Sequence, residues 1–192
     1  ALFADSHYWT QAEDELQGSG IGLVKIPTGA AQHHLDWIAE QVKRGQALAV
    51  DGQVLGLAAA QQLRAATEKA GIRLLTHVDL LEAAWADRPS LPTAAVYDHA
   101  APEAPVDRPA KLALLREAMG KHGATHHFVS TVDDIAWITN LRGADVGYNP
   151  VFLAHLLLSH QSATLFVGAG KVDAALAAKL AADGIALADY GQ

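Results

Sequence analysis

The chain has 192 residues, of which 51% are apolar, and its 14 Lys and Arg against 21 Asp and Glu leave a net charge of −7. Such a chain can bury a core over one or two domains, but it lacks the basic surface that nucleic acid or an anionic membrane requires. The absence of cysteine excludes disulfides, thiolate nucleophiles and cysteine-bound zinc, and it favours a cytoplasmic protein.

Short apolar runs alternate with helical periods along the chain, which predicts an α/β fold with mixed β-sheets flanked by helices. In chain order, the predicted elements are strand 1–5, helix 8–17, strand 21–26, helix 35–44, strand 47–50, helix 57–70, strand 72–75, helix 80–85, helix 110–121, strand 126–130, helix 132–138, strand 151–158, strand 163–167, helix 172–182 and strand 185–188. The β-α-β order predicts some parallel pairing. A hairpin is also expected, because only "SHQS" separates the strands 151–158 and 163–167.

The segment 87–109 contains five of the seven prolines. Proline can neither continue a helix nor fill a central strand, so this segment predicts a linker between two domains. An ordered proline-rich loop within one domain is the alternative. The longest apolar run, "VFLAHLLL" from Val151, is far shorter than the roughly 20 residues that span a bilayer. We therefore expect a soluble protein without a membrane partner.

The two ends of the chain have a similar pattern. Both show an apolar run, a polar turn, a helix, a glycine and an Ile-x-Leu strand, with Gly20 matching Gly184 at a spacing of about 164 residues. This repeat predicts two related domains, of which the first lacks its start and the second its end. Chance similarity of two β-α-β units is the alternative. The first residue, Ala1, is not methionine, which also indicates a piece of a longer protein.

No residue pattern predicts a metal site or a nucleophile. The ten histidines include adjacent pairs, whose side chains point to different faces, and no H-E-x-x-H spacing occurs. Asp133 and Asp134 could act as paired carboxylates, but "TVDD" from Thr131 is typical of a capping box at a helix start, ahead of a packed "IAWI". "GAGK" from Gly168 lacks the phosphate-loop spacing and predicts a turn.

The segment "NLRGADVGYNP" is the strongest candidate for a functional loop. It can present the Arg142 guanidinium, the Asp145 carboxylate, the Tyr148 ring and the Asn149 amide together. We therefore select Arg142, Asp145, Tyr148 and Asn149 as residues that could lie near a substrate. The favoured alternative from spacing is a structural loop held by an ion pair between Arg142 and Asp145.

Three stretches resemble the long, three-domain form of the Xaa-Pro aminopeptidase family. They are "ALFADSHYWTQA" at the start, "LLEAAWADRPSLP" from Leu80, and "DDIAWITNLRGADVGYNPVF" from Asp133. The resemblance spans the whole chain in the expected order. It implies two related creatinase/prolidase N-terminal-type domains, both incomplete: residues 1–106, which end in the proline-rich linker, and residues 107–192. The third domain of the family, a pita-bread metallopeptidase domain, is absent from this chain.

The resemblance also implies the role of the chain. The parent protein would be a hydrolase that removes the N-terminal residue from short Xaa-Pro peptides, using two manganese or zinc ions bound by its third domain. This segment would contain no catalytic residue and bind no cofactor. It would restrict access to the active site by substrate size and contribute to a homodimer. The alternatives are a binding or scaffold module derived from this family, and a prolidase- or creatinase-like hydrolase, although the latter have a single N-terminal domain.

Overall fold

A computed structural model describes residues 1–27 and 33–192, which form two compact units, Ala1–Arg88 and Pro89–Gln192. The first unit contains β1 (Leu2–Ala4), α1 (Trp9–Glu15), β2 (Leu23–Lys25), α2 (His33–Gln41), β3 (Ala47–Ala49), a single 3-10 turn (Gly52–Val54), α3 (Leu57–Ala70), β4 (Arg73–Leu75) and α4 (Leu80–Ala84). The second unit contains β5 (Tyr97–Asp98), α5 (Arg108–Lys121), β6 (His126–Val129), α6 (Val132–Thr139), β7 (Leu141–Arg142), β8 (Ala154–Ser159), β9 (Ala163–Val167), α7 (Ala174–Ala182) and β10 (Ile185–Asp189).

The first unit is built from two small parallel pairs. Strands β1 and β2 pair in parallel around α1, and β3 and β4 pair in parallel with the 3-10 turn and α3 in the connection between them. The Trp9 indole N–H donates to the Ala4 carbonyl at 2.8 Å, and Phe3 meets Trp37 edge to face at 5.6 Å. Short strands and few buried side chains leave this unit with a small core.

The second unit is organised around a four-stranded sheet in the order β10-β9-β8-β6. Strand β9 is parallel to β10, whereas β8 is antiparallel to both β9 and β6. Alternate residues of β8 and β9 are buried, as expected for strands with one face on a core. The buried apolar side chains of the unit form one cluster, whose fully buried large members include Phe152, Leu112, Ile135, Leu141, Leu156, Leu158, Leu165, Leu180 and Ile185.

Aspartate residues set the starts of two helices of this unit. The Asp107 carboxylate accepts from Ala110 N at 2.9 Å, and the Asp173 carboxylate accepts from Leu176 N at 2.7 Å. Pro109 lies in the first turn of α5, where the missing N–H has no helical partner to lose. Helix α5 therefore begins two residues before the predicted start at 110, and α7 begins two residues after the predicted start at 172.

Arg108 joins three segments of the second unit at the start of α5. Its Nε donates to Asp183 at 2.7 Å, and its Nη1 donates to Asp98 at 2.6 Å and to the Thr139 carbonyl at 3.2 Å. The Arg108 side chain is 8% exposed, whereas the two carboxylates are 24% and 28% exposed. Lys179 also contacts Asp98 at 3.2 Å. This network ties β5, α5, α6 and α7 together.

Acidification is expected to weaken this network through Asp98. Burial raises the pKa of Asp98, but hydrogen bonds and charges from Arg108 and Lys179 outweigh it, so the net pKa lies below the usual 3.8. A folded-state pKa below the unfolded one means that ionised Asp98 stabilises the fold above about pH 4, and that this contribution is lost as pH falls through the folded pKa. Urea unfolding of wild type and Asp98→Asn between pH 7 and pH 2.5 checks this. The two midpoints should converge in acid, and a constant difference across the range would contradict the prediction.

The predicted fold class, α/β with mixed sheets flanked by helices, is confirmed. The hairpin between β8 and β9 is confirmed as antiparallel, although β8 begins at Ala154 rather than at 151. The prediction misses β5 and β7, which pair with each other and have two residues each. Strands of two residues are too short to show a sequence period, and each is defined by its pairing with the other.

The proline-rich segment is part of the second unit from Pro89 onward. Within it, Val96 is buried and its N–H donates to the Lys171 carbonyl at 2.8 Å. The predicted domain boundary between residues 106 and 107 lies inside this unit. Both ends of the chain form β-α-β units with parallel strands. Their assignment to two related domains, 1–106 and 107–192, stays a prediction. Across the described residues, no helix is long and apolar enough to cross a membrane.

Candidate functional site

The four candidate residues occupy three different environments within the second unit. Arg142 is half-buried at the end of β7, opposite Tyr97 of β5. Its Nη1 donates to the carbonyls of Ala136 and Leu141, both at 2.8 Å. The next residue, Gly143, has no room for a side chain, because a Cβ there would lie 2.7 Å from the Cβ of Phe152. The backbone thus passes tightly over the core immediately after the guanidinium.

Asp145 is a buried structural carboxylate. Its side chain is fully buried and forms an ion pair with Lys171, whose side chain is 3% exposed. Asp145 Oδ2 also accepts from Leu153 N at 2.7 Å, while Oδ1 is buried and has no hydrogen-bond partner in the described part of the chain. The predicted pair between Arg142 and Asp145 is therefore wrong. The positive charge that Asp145 needs comes from the "GAGK" turn, 26 residues away, for which the sequence predicted only a turn.

Tyr148 and Asn149 form the tip of the loop. Tyr148 is fully exposed and has a positive φ of 64°, and Val146 and Asn149 form an isolated antiparallel bridge across the turn. The Asn149 amide donates to the Asp133 carboxylate at 3.3 Å. Asp133 is thereby tied to the loop. The Tyr148 ring is free to touch a partner, since it packs on nothing in the described chain.

Helix α6 differs from its prediction in two side chains. Thr131 does occupy the N-cap, but its hydroxyl makes no capping hydrogen bond, so the predicted capping box is wrong in that contact. Ile135, Ala136 and Ile138 are buried as expected, whereas Trp137 is 50% exposed.

A pocket of about 230 Å³ lies beside Trp137. It is lined by His99, Glu103, Ala104, Pro105, Val106, Lys111, Trp137, Asn140 and Arg142. Arg142 is the single sequence-selected residue among them. Lys111 was missed, because a lysine on an amphipathic helix normally faces water, and nothing in the local pattern of α5 distinguishes it.

Lys111 is held at this pocket by polar and aromatic contacts. Its Nζ donates to the Trp137 carbonyl at 2.7 Å and to Asn140 Oδ1, and lies 4.2 Å from the centre of the Trp137 ring. Asn140 can accept this bond because it ends α6 in the left-handed conformation, with φ of 48°, and its amide donates to the Val106 carbonyl. Burial and, to a smaller degree, the charge of Arg142 lower the pKa of Lys111.

The described residues do not fit a metal centre. Across 1–27 and 33–192, no group of three or more His, Cys, Asp or Glu side chains is placed to hold an ion. A dinuclear centre needs several carboxylate or imidazole ligands around each ion. We therefore derive no catalytic step through a metal from this chain.

Comparison with known proteins identifies the family. The profile of the Creatinase/Prolidase N-terminal domain family matches residues 87–192. A probable Xaa-Pro aminopeptidase P of Botryotinia fuckeliana is 34% identical over 100% of this chain and 30% of its own length. Its counterpart in Metarhizium acridum is 33% identical over 99% of the chain and 31% of its own length.

A solved structure agrees with the fold. The X-prolyl aminopeptidase of Caenorhabditis elegans, described as a cytosolic enzyme with a di-nuclear active site, matches with a TM-score of 0.88 at 23% identity. The match covers 98% of this chain and 31% of that one. This chain thus spans about a third of the length of the relatives that it matches. With the family profile matching more than half of its residues, the chain belongs to the creatinase/prolidase N-terminal domain family.

Proposed function

We propose that this chain is the noncatalytic N-terminal region of a proline-specific metallo-aminopeptidase. The observation that carries the proposal is the pairing of two facts. First, essentially the whole chain aligns with about 30% of the length of two probable Xaa-Pro aminopeptidases. Second, its described residues contain no group of side chains placed to hold a metal ion. In the parent protein, the chemistry would belong to a following domain with two manganese or zinc ions.

A dedicated enzyme is needed for this substrate because proline forms a tertiary amide. The Xaa-Pro bond lacks the N–H that general peptidases use in binding, and its geometry is restricted. Two metal ions would supply a hydroxide nucleophile and stabilise the charge of the tetrahedral intermediate. The region described here would limit access to short Xaa-Pro peptides and contribute to a cytoplasmic homodimer, without supplying a ligand to either ion.

The loop 140–149 is the part of the chain that we place near the substrate. Arg142, Tyr148 and Asn149 would face it, because their side chains lie at a pocket or at the exposed tip of the loop. Asp145 would act indirectly, since its carboxylate is buried against Lys171 and fixes the course of the loop.

Activity assays test this division of labour. The 192-residue chain, with manganese or zinc added, is expected to release no N-terminal residue from an Xaa-Pro tripeptide. The polypeptide continued beyond Gln192 by its own reading frame should release it, and a chelator should abolish that activity. Chelator-sensitive turnover by the 192 residues alone would refute the proposal.

Tyr148→Ala, made in the polypeptide that continues beyond Gln192, tests whether the tip of the loop borders the substrate. The ring of Tyr148 is fully exposed, so its removal should change stability by less than about 0.5 kcal/mol. If the tip of the loop borders the substrate, KM should rise while the melting temperature stays constant. An unchanged KM would remove the loop tip from the substrate path.

A binding or scaffold module derived from the same family is the second candidate function. The absence of a metal-binding group across the described residues is compatible with it, as is the exposed Trp137. The continued reading frame separates the two candidates, because the peptidase requires metal ligands downstream and the scaffold does not.

A further inference from the structure

Lys111 and Arg142 are two cations that line one pocket and have no acidic partner among the described residues. Lys111 is 4% exposed, and within the described chain no carboxylate oxygen lies within 4.0 Å of its Nζ. The Arg142 guanidinium has none within that distance either, among the same residues. Buried charges are normally paired, because removing an unpaired cation from water is costly. Arg108 and Lys171 in the same unit follow this rule.

Both cations also retain hydrogen-bond donors. The Lys111 ammonium has three N–H donors and two acceptors among the described residues, the Trp137 carbonyl and Asn140 Oδ1. The Arg142 Nη1 uses its two N–H groups on backbone carbonyls, while Nε and Nη2 have no acceptor in the same part of the chain. Nε and Nη2 form the edge of a guanidinium that binds the two oxygens of a carboxylate side by side.

We propose that this pocket binds a small monocarboxylate, with the carboxylate on Arg142 and Lys111 and the apolar part of the ligand against Trp137. The volume of about 230 Å³ is below the roughly 300–1,000 Å³ of sites for drug-sized ligands, so the ligand is small. Pro105 and Val106 add apolar wall beside the half-exposed indole. An amphipathic anion matches both the polar and the apolar lining.

The acidic residue of the lining favours a monoanion over phosphate. Glu103 lines the same pocket but lies more than 4.0 Å from both cations, as no ion pair joins them. Its charge would repel a phosphate dianion more than a carboxylate. The two oxygens of a planar carboxylate also match the free edge of the guanidinium. A tetrahedral phosphate would carry further charged oxygens into the pocket that Glu103 lines.

Nuclear magnetic resonance titration of the 192-residue chain with benzoate tests the proposal. The reporter is the indole N–H signal of Trp137, which Trp137→Phe assigns among the four tryptophans. We expect a saturable shift of this signal with benzoate. Benzamide, which has the same shape without the charge, should produce no saturable shift, and inorganic phosphate should bind at least tenfold more weakly. No saturation with benzoate, or equal binding of benzamide or phosphate, would overturn the proposal.

Three variants locate the anion. Arg142→Gln and Lys111→Met should each raise the benzoate Kd at least tenfold. Lys121→Met is the matched control on the same helix, because Lys121 is 70% exposed and pairs with the exposed Glu117, and it should leave the Kd unchanged. The dispersion of the same spectra shows whether each variant is folded. If Lys111→Met does not fold, the Kd of Arg142→Gln alone tests the proposal. An unchanged Kd in a folded Arg142→Gln would overturn the proposal. The assay measures binding and does not depend on the peptidase function.

Discussion

Replacing Lys171 by methionine is expected to lower the free energy of unfolding by about 3–5 kcal/mol. The substitution keeps a long apolar side chain but removes the ammonium, which leaves the fully buried Asp145 carboxylate without a counter-charge. The Asp145 Oδ1 atom already has no hydrogen-bond partner among the described residues, so none of their groups offsets the lost contact. Urea unfolding followed by circular dichroism measures the loss.

Two further variants separate charge from packing at this position. Lys121→Met makes the same substitution at an exposed pair and should cost less than about 1 kcal/mol. Adding Asp145→Asn to Lys171→Met removes the unpaired charge and should recover part of the loss. Equal costs for Lys171→Met and Lys121→Met would show that the buried pair does not stabilise the loop, which would contradict the assignment of Asp145.

Replacing Arg108 by alanine is the second substitution with a large expected effect, about 3 kcal/mol. Arg108 is the shared partner of Asp98 and Asp183, and its removal leaves two carboxylates near each other. The expected loss lies at the lower end of the range for buried pairs, since both carboxylates are about a quarter exposed and water reaches them. Thermal or urea unfolding checks the size of the effect.

Arg108→Lys and Arg116→Ala are the controls for Arg108→Ala. Lysine cannot donate to both carboxylates in the forked geometry of a guanidinium, so Arg108→Lys should recover only part of the stability. Arg116 lies on the same helix and donates one hydrogen bond, from Nε to the Ser159 carbonyl at 3.0 Å. Its loss should cost about 1 kcal/mol. A loss for Arg108→Ala no larger than for Arg116→Ala would show that the network is only a surface ion pair.

The elements predicted from sequence agree best with the structure where one face of a long segment is buried. Helix α3, at Leu57–Ala70, and strand β9, at Ala163–Val167, have the predicted bounds. Their apolar spacing is a local property of the chain. Strands β5 and β7 have two residues each, so no window of sequence could show a period, and their pairing joins residues more than 40 positions apart.

The candidate site was predictable as a segment but not as a set of contacts. The loop 140–149 was selected because turn-forming residues surround an Arg, an Asp, a Tyr and an Asn. Spacing favoured a pair between Arg142 and Asp145, since they are close in sequence. The actual partner of Asp145 is Lys171, and Arg142 instead shares a pocket with Lys111 of α5.

Local patterns were sufficient for the α/β fold class, the hairpin and, to within about two residues, most element bounds. Longer motifs were sufficient to identify the family. These properties depend on residues that are close in the chain or on extended similarity. The ion pairs and the pocket were decided by tertiary structure alone. Arg108 and Asp183 are 75 residues apart, and Lys171 and Asp145 are 26 apart. Which charge meets which depends on how the helices and strands pack, because a charged side chain binds whatever opposite charge or carbonyl the fold places within reach.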